Sequence, residues 1–135
     1  MTENSATKRE DRDKAMRSAR DEILGRVGTW LIGAGFSKEA TGHFSRSACD
    51  ATCHIGFQKH SSGRNIRILC HIDKNGSVAV GPTSDAYERP NSPNKIKYHF
   101  GWSTREADIA KCAEEYCRYI TDVALAWFRE QAPPK

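Results

Sequence analysis

Apolar and polar side chains alternate along several short stretches between residues 43 and 102. Alternation with a period of two is typical of strands that bury one face and expose the other. The pattern predicts strands at 43–46, 51–59, 65–73, 77–81 and 95–102. Their inward-facing residues would be Phe44, Cys53, Ile55, Phe57, Ile66, Ile68, Cys70, Ile72, Ile96, Tyr98, Phe100 and Trp102.

Helical spacing flanks these strands on both sides. Apolar residues recur every three or four positions from Met16 to Ala34, which predicts an amphipathic helix that ends near the glycines at 33 and 35. A second stripe predicts a helix from Ser103 to Glu130. The fold class is therefore expected to be α+β, with an antiparallel sheet of four or five strands and both terminal helices packed on one face of it.

Local motifs predict how some of these elements begin and connect. Ser103 and Glu106 have the spacing of a capping box, in which the serine hydroxyl and the glutamate each satisfy a free backbone amide. Residues 74–76 end in glycine and suit a three-residue hairpin loop, which would pair Ile72 with Val78.

The 135 residues suit one domain of ordinary size. Residues 1–15 are almost entirely polar and form either a frayed, disordered lead or the solvated start of the first helix. The domain would then cover 16–132. Within it, residues 82–94 combine three prolines with polar residues and are expected to form a flexible surface loop.

Composition indicates the cellular location of the protein more than its biochemical activity. The mean hydropathy of −0.69 and the lack of any long apolar run argue against a membrane span, and the charged N-terminus lacks the apolar core of a signal peptide. We therefore expect a cytoplasmic protein. The net charge of +4 is concentrated in the strand region and could steer an anionic partner.

The five cysteines are expected to be reduced and mostly buried, as is usual inside cells. A four-residue loop after residue 59 would place Cys53 opposite Cys70 in a hairpin. Cys49, Cys53 and His54 resemble part of a zinc site, but the second ligand pair that such sites need is missing. No catalytic residue, metal site or cofactor is predicted, and an enzyme is the less favoured class although the sequence leaves it open.

The sheet face turned away from the helices is the surface most open to function. It would be polar and mildly basic, and its histidines could respond to pH or meet an acidic partner. The alternative is that this face is polar only because water covers it. The residues predicted to bind a partner there are His54, Gln58, Arg67, His71, Lys95, Lys97 and His99.

Scattered residues resemble the bacterial family known as domain of unknown function 4304. The resemblance covers about residues 20–130 and is carried by Gly35-Phe36, Phe44-x-Arg46, Ile55-x-Phe57-Gln58-Lys59 and Trp127-Phe128. It implies an α+β fold with helices flanking an antiparallel sheet. It carries over no catalytic residues, because the activity of that family is unassigned, and it gives no template for residues 82–94.

The favoured hypothesis is a small binding protein of the immunity, antitoxin or phage and host accessory type, with a protein partner. A nucleic-acid-binding protein is the first alternative, and its affinity should then fall steeply with salt. A metal-dependent enzyme built on His54, His71 and His99 is the second. The phosphate contacts of the first alternative would come from Arg46, Lys59, Arg64, Arg67, Lys95 and Lys97.

Overall fold

A computed structural model describes residues 3–48, 50–59, 66–84, 98 and 100–132. One long helix precedes a sheet, and a second helical region follows it. The elements are α1 (Glu3–Gly33), β1 (Ser37–Ala40), β2 (His43–Ala48), β3 (Ala51–Lys59), β4 (Ile66–Lys74), β5 (Ser77–Val80), α2 (Glu106–Tyr119), a π-helical turn (Ile120–Ala124) and α3 (Leu125–Gln131).

The sheet is an antiparallel meander in which each strand pairs with the next along the chain, in the order β1-β2-β3-β4-β5. Apolar side chains from one face of this sheet form a single core with those of the helices. We call this the inner face. The α+β class, the antiparallel sheet and the helix at each end are confirmed.

The first helix is longer than the apolar stripe that predicts it. It begins at Glu3, so the described part of the polar lead is helical, and its residues 8–12 are exposed. The helix ends where predicted. Gly35 adopts a φ of +97°, and the Phe36 amide donates to the Leu31 carbonyl at 3.0 Å, which is the Schellman arrangement. The buried stripe consists of Ala19, Ile23, Val27 and Leu31.

Two predictions about the strands need correction. β1 was not expected, because all four of its residues are exposed and show no apolar alternation. Conversely, the described residues of the predicted last strand, Tyr98 and 100–102, are not part of the sheet. Tyr98 and Phe100 are nevertheless buried as expected, and they pack against the aromatic rings of α2.

The register between β3 and β4 differs from the prediction by two residues. Cys53 lies opposite Ile72, and Cys70 lies opposite Ile55, so the two cysteines do not face each other. Lys59 pairs with Ile66, which makes the connection longer than the four residues expected. A shift of two keeps every side chain on its own face, so alternation alone cannot detect it.

The β4–β5 turn has two residues instead of three. Asn75 and Gly76 both have positive φ, at 56° and 83°, as a type I′ turn requires. Ile72 therefore pairs with Ala79, not with Val78. This one-residue change turns Val78 away from the inner face and leaves it 61% exposed.

The capping box predicted at Ser103 is wrong. The helix begins later, at Glu106, with Arg105 as its cap residue. The Ser103 hydroxyl accepts from the Arg105 amide at 3.0 Å and donates to Asp108. Glu106 instead accepts from Arg26 of α1 at 2.6 Å, a tertiary partner that local sequence cannot reveal. The π-helical turn also interrupts what was predicted as one continuous helix.

Candidate functional site

The sheet face opposite the inner face, which we call the open face, carries a row of histidines. His54 on β3 lies directly opposite His71 on β4, and their rings stack with centroids 4.4 Å apart and planes 8° apart. His43 on β2 lies diagonally from His54, with ring centroids 5.1 Å apart. We call His43, His54 and His71 the histidine row. All three side chains are half-buried, so the row is partly accessible to solvent.

A hydrogen bond joins two members of the histidine row. The His43 Nε2 and His54 Nδ1 atoms are 2.9 Å apart. Such a bond needs one N–H and one free lone pair, so it survives while at least one of the two rings is neutral. Protonation of both rings would set two N–H groups against each other. The pair can therefore take up one proton and keep its bond, but not two.

The surroundings of His54 disfavour its charged form. Burial lowers the pKa of His54 below its ordinary value, and the neighbouring His71 and His43 lower it further. Asp73 and Glu39 act in the opposite direction because a carboxylate stabilises an imidazolium. Another carboxylate brought to this row would raise the pKa of His54 and so favour its protonation.

Apolar and polar side chains surround the histidine row on the open face. Val80 lies opposite His71 on β5, and Val80 and Val78 are 78% and 61% exposed. Leu69 is half-buried on the same face. Beyond it, Arg67 Nη1 donates to Gln58 Oε1 at 3.4 Å. The face is thus a mixed surface in which exposed valines adjoin imidazoles.

Four of the seven residues predicted to bind a partner lie together on the open face. They are His54, Gln58, Arg67 and His71. Lys95, Lys97 and His99 lie outside the described residues. His43 was missed, although the buried Phe44 beside it indicated that His43 faces outward. Its approach to His54 depends on the pairing of β2 with β3, which sequence does not specify.

Three of the six basic residues of the nucleic-acid alternative are described, and of these only Arg67 lies on the open face. Arg46 donates to the Ala34 carbonyl at 3.1 Å and covers the Phe36 ring at 4.7 Å, so it closes the end of α1 on the inner side. Lys59 lies 3.5 Å from Asp21 of α1. Arg67 is on the open face. The remaining three, Arg64, Lys95 and Lys97, lie outside the described residues.

Three of the described cysteines, Cys53, Cys70 and Cys117, are poorly suited to nucleophilic or metal chemistry. Burial raises the pKa of the Cys70 thiol to about 12 and that of Cys117 to about 11, and it also raises the pKa of Cys53. A thiol must ionise to attack or to bind zinc. No cluster of three or more potential metal ligands occurs among the described residues. Cys49, the first residue of the zinc-like motif, lies outside them.

Comparison with known proteins identified no similar protein. A scan against protein-family models and searches of the curated proteins and the solved structures return no match. The resemblance to domain of unknown function 4304 therefore stays a prediction. In the part of the chain that the structure describes, no helix has both the length and the apolar character to cross a membrane.

Proposed function

We propose that this protein is a non-enzymatic, cytoplasmic binding protein that holds a protein partner against its open face. The partner would present carboxylates to the histidine row and apolar side chains to Leu69, Val78 and Val80. An immunity, antitoxin or phage and host accessory role fits this description, as the sequence suggested.

The observation that carries the proposal is the exposure of Val78 and Val80 beside the histidine row. Both valines are more than half exposed and belong to an edge strand without a charged residue. Exposed apolar side chains beside polar groups are characteristic of the centre and rim of protein interfaces. The opposite edge strand, β1, carries Lys38 and Glu39, the kind of charges that protect an edge from unwanted pairing.

A protein partner fits this surface better than a nucleic acid does. Phosphate binding relies on several cations on one face. Arg67 is the only Arg or Lys among the described strand residues that point to the open face. Glu39 and Asp73 lie at the borders of the histidine row and would repel phosphates. A nucleic acid would bring many such negative charges to this face, whereas a protein partner needs only one carboxylate at the histidine row.

Site-specific crosslinking in an extract of the source cells would test the proposal. A photoreactive residue would replace Gln58 on the open face, and the matched control would replace Ala110, an exposed position on α2. We expect a protein that crosslinks from position 58 and not from position 110. The purified candidate should then bind this protein in a two-component titration.

The titration decides whether the captured protein is the partner. Val78→Asp on the open face should weaken binding, whereas Ala110→Asp on α2 should leave it unchanged. Equal capture from positions 58 and 110, equal binding by both aspartate variants, or crosslinks to nucleic acid alone would overturn the proposal.

A further inference from the structure

A second concave surface lies on the other side of the molecule, between α1 and the inner face at the β1–β2 turn and the end of β3. The cavity has a volume of about 400 Å³, within the range of small-ligand sites. Its walls are mainly apolar. We call it the α1 cleft, and its apolar lining comes from Leu24, Ile32, Phe44 and Phe57.

Two glycines of α1 line the cleft and differ in what they do. A Cβ atom at Gly28 would come within 2.9 Å of the Phe44 ring, so this glycine lets the ring approach the helix. A Cβ atom at Gly25 would have nothing within 4 Å. Glycine inside a helix loses more chain entropy on folding than alanine does. Packing does not explain Gly25, but its missing side chain keeps the cleft open.

The rim of the cleft is positively charged. Lys38 and Lys59 line it together with one acid, Asp21. Asp21 Oδ1 already accepts from Arg20 Nε at 3.2 Å and lies 3.5 Å from Lys59 Nζ, so its charge is shared between two cations. Lys38 has no acidic partner in the described part of the chain. The rim therefore has a net positive charge, and it borders an apolar interior.

We infer that the α1 cleft binds an amphipathic monoanion with an apolar tail and one carboxylate, of the fatty-acid class. The tail would lie against Phe44, Phe57 and Leu24, and it would cover Ile32, which is 55% exposed. The carboxylate would pair with the lysines of the rim. This site is on the opposite side of the sheet from the open face and does not depend on the proposed function.

The inference is tested by titrating the whole protein with decanoate. Binding is measured by calorimetry and by changes in the amide chemical shifts. Decanol has a similar tail without the charge, and decyltrimethylammonium has a similar tail with the opposite charge. We expect saturable binding of decanoate that shifts the amides of Gly25, Thr29 and Gly42, all of which line the cleft. Decanol should bind more weakly, and the cation should not bind.

Substitution at Gly25 separates ligand binding from folding. Gly25→Leu would fill the cleft with its own side chain and improve the helix, so it should abolish decanoate binding while the melting temperature stays equal or rises. Gly33→Leu is the matched control, because a Cβ there also meets nothing within 4 Å and Gly33 does not line the cleft. It should bind decanoate like the unmodified protein.

The contribution of the rim charge is tested separately from whether the ligand is a free fatty acid or a phospholipid. Lys38→Gln should weaken decanoate binding about two- to fivefold, the usual effect of one exposed ion pair. Absence of decanoate binding at millimolar concentration, equal binding of decanol, or unchanged binding by Gly25→Leu would overturn the inference. Binding to anionic phospholipid vesicles without binding to decanoate would also overturn it, in favour of a membrane surface.

Discussion

His54 and His71 occupy opposite positions on β3 and β4, and their imidazole planes are parallel to within 8° at 4.4 Å. Two stacked rings cannot both carry a positive charge without mutual repulsion. His43 extends the same repulsion to the other side of His54. The protonation of His54 therefore depends on its two neighbours in the histidine row.

The coupling predicts opposite effects of two conservative substitutions. His71→Gln removes an imidazole that lowers the pKa of His54 and should therefore raise that pKa, whereas Asp73→Asn removes a stabilising carboxylate and should lower it. Proton NMR titration of the His54 ring would measure both shifts. Lys111→Gln, on the exposed side of α2, is the control and should leave the titration unchanged. Shifts of the same sign in the two variants would contradict this account.

The depressed pKa of His54 also makes folding stability depend on pH. The unfolded chain takes up a proton near the ordinary value of 6.5, and the folded protein does so only at lower pH. Between these two values the unfolded state binds more protons, so the free energy of unfolding rises with pH. The contribution of His54 is present above 6.5 and is lost as the pH falls through 6.5 toward the folded pKa.

Urea unfolding of the unmodified protein and of His54→Gln, from pH 8 to pH 5, would measure this contribution. Because His71 and His43 act on His54, the difference between the two proteins reports His54 together with its coupling to these neighbours. We expect the stability of the unmodified protein to fall more steeply on acidification than that of the variant. Parallel curves would show that His54 has the same pKa in the folded and unfolded states.

Alternation predicted the faces of the strands but not their alignment. Ile55 and Ile68 are buried and His54 and His71 lie on the other face, as the pattern requires. The two-residue shift between β3 and β4 leaves these faces unchanged, and so the sequence does not distinguish the two registers. β1 gave no signal at all, because each of its side chains is exposed.

The two candidate sites differed in how much of each could be predicted from the sequence. Strand parity was enough to place His54 and His71 together on one face. The stacking of the histidine row needed the register of three strands. The α1 cleft was missed because it depends on space that Gly25 leaves against Phe44 and Phe57, residues distant in sequence. A glycine inside an amphipathic helix was the one signal that could have indicated it.

Gly81 follows β5 in a site with no room for a side chain. A Cβ atom there would lie 2.7 Å from the Trp127 ring and 2.8 Å from Cys70 Sγ. Gly81→Ala should therefore lower the free energy of unfolding by about 1–3 kcal/mol, as overpacked core substitutions do. Gly33→Ala adds the same methyl group where nothing lies within 4 Å, and it should not destabilise. Chemical denaturation compares the two, and equal stabilities would contradict the close packing.

The β4–β5 turn offers a test that separates its observed form from the three-residue loop predicted from sequence. In the observed turn Asn75 has a φ of 56°, a left-handed conformation that alanine adopts at a cost of about 1 kcal/mol. In the three-residue loop only Gly76 would need such a φ, and Asn75→Ala would be nearly neutral. We expect Asn75→Ala to destabilise by about 1 kcal/mol and Asn75→Gly to stay within about 0.5 kcal/mol of the unmodified protein, because glycine tolerates positive φ. Denaturation midpoints would measure both.

A neutral Asn75→Ala would favour the three-residue loop. That loop implies a register that turns Val78 toward the inner face and away from the proposed partner.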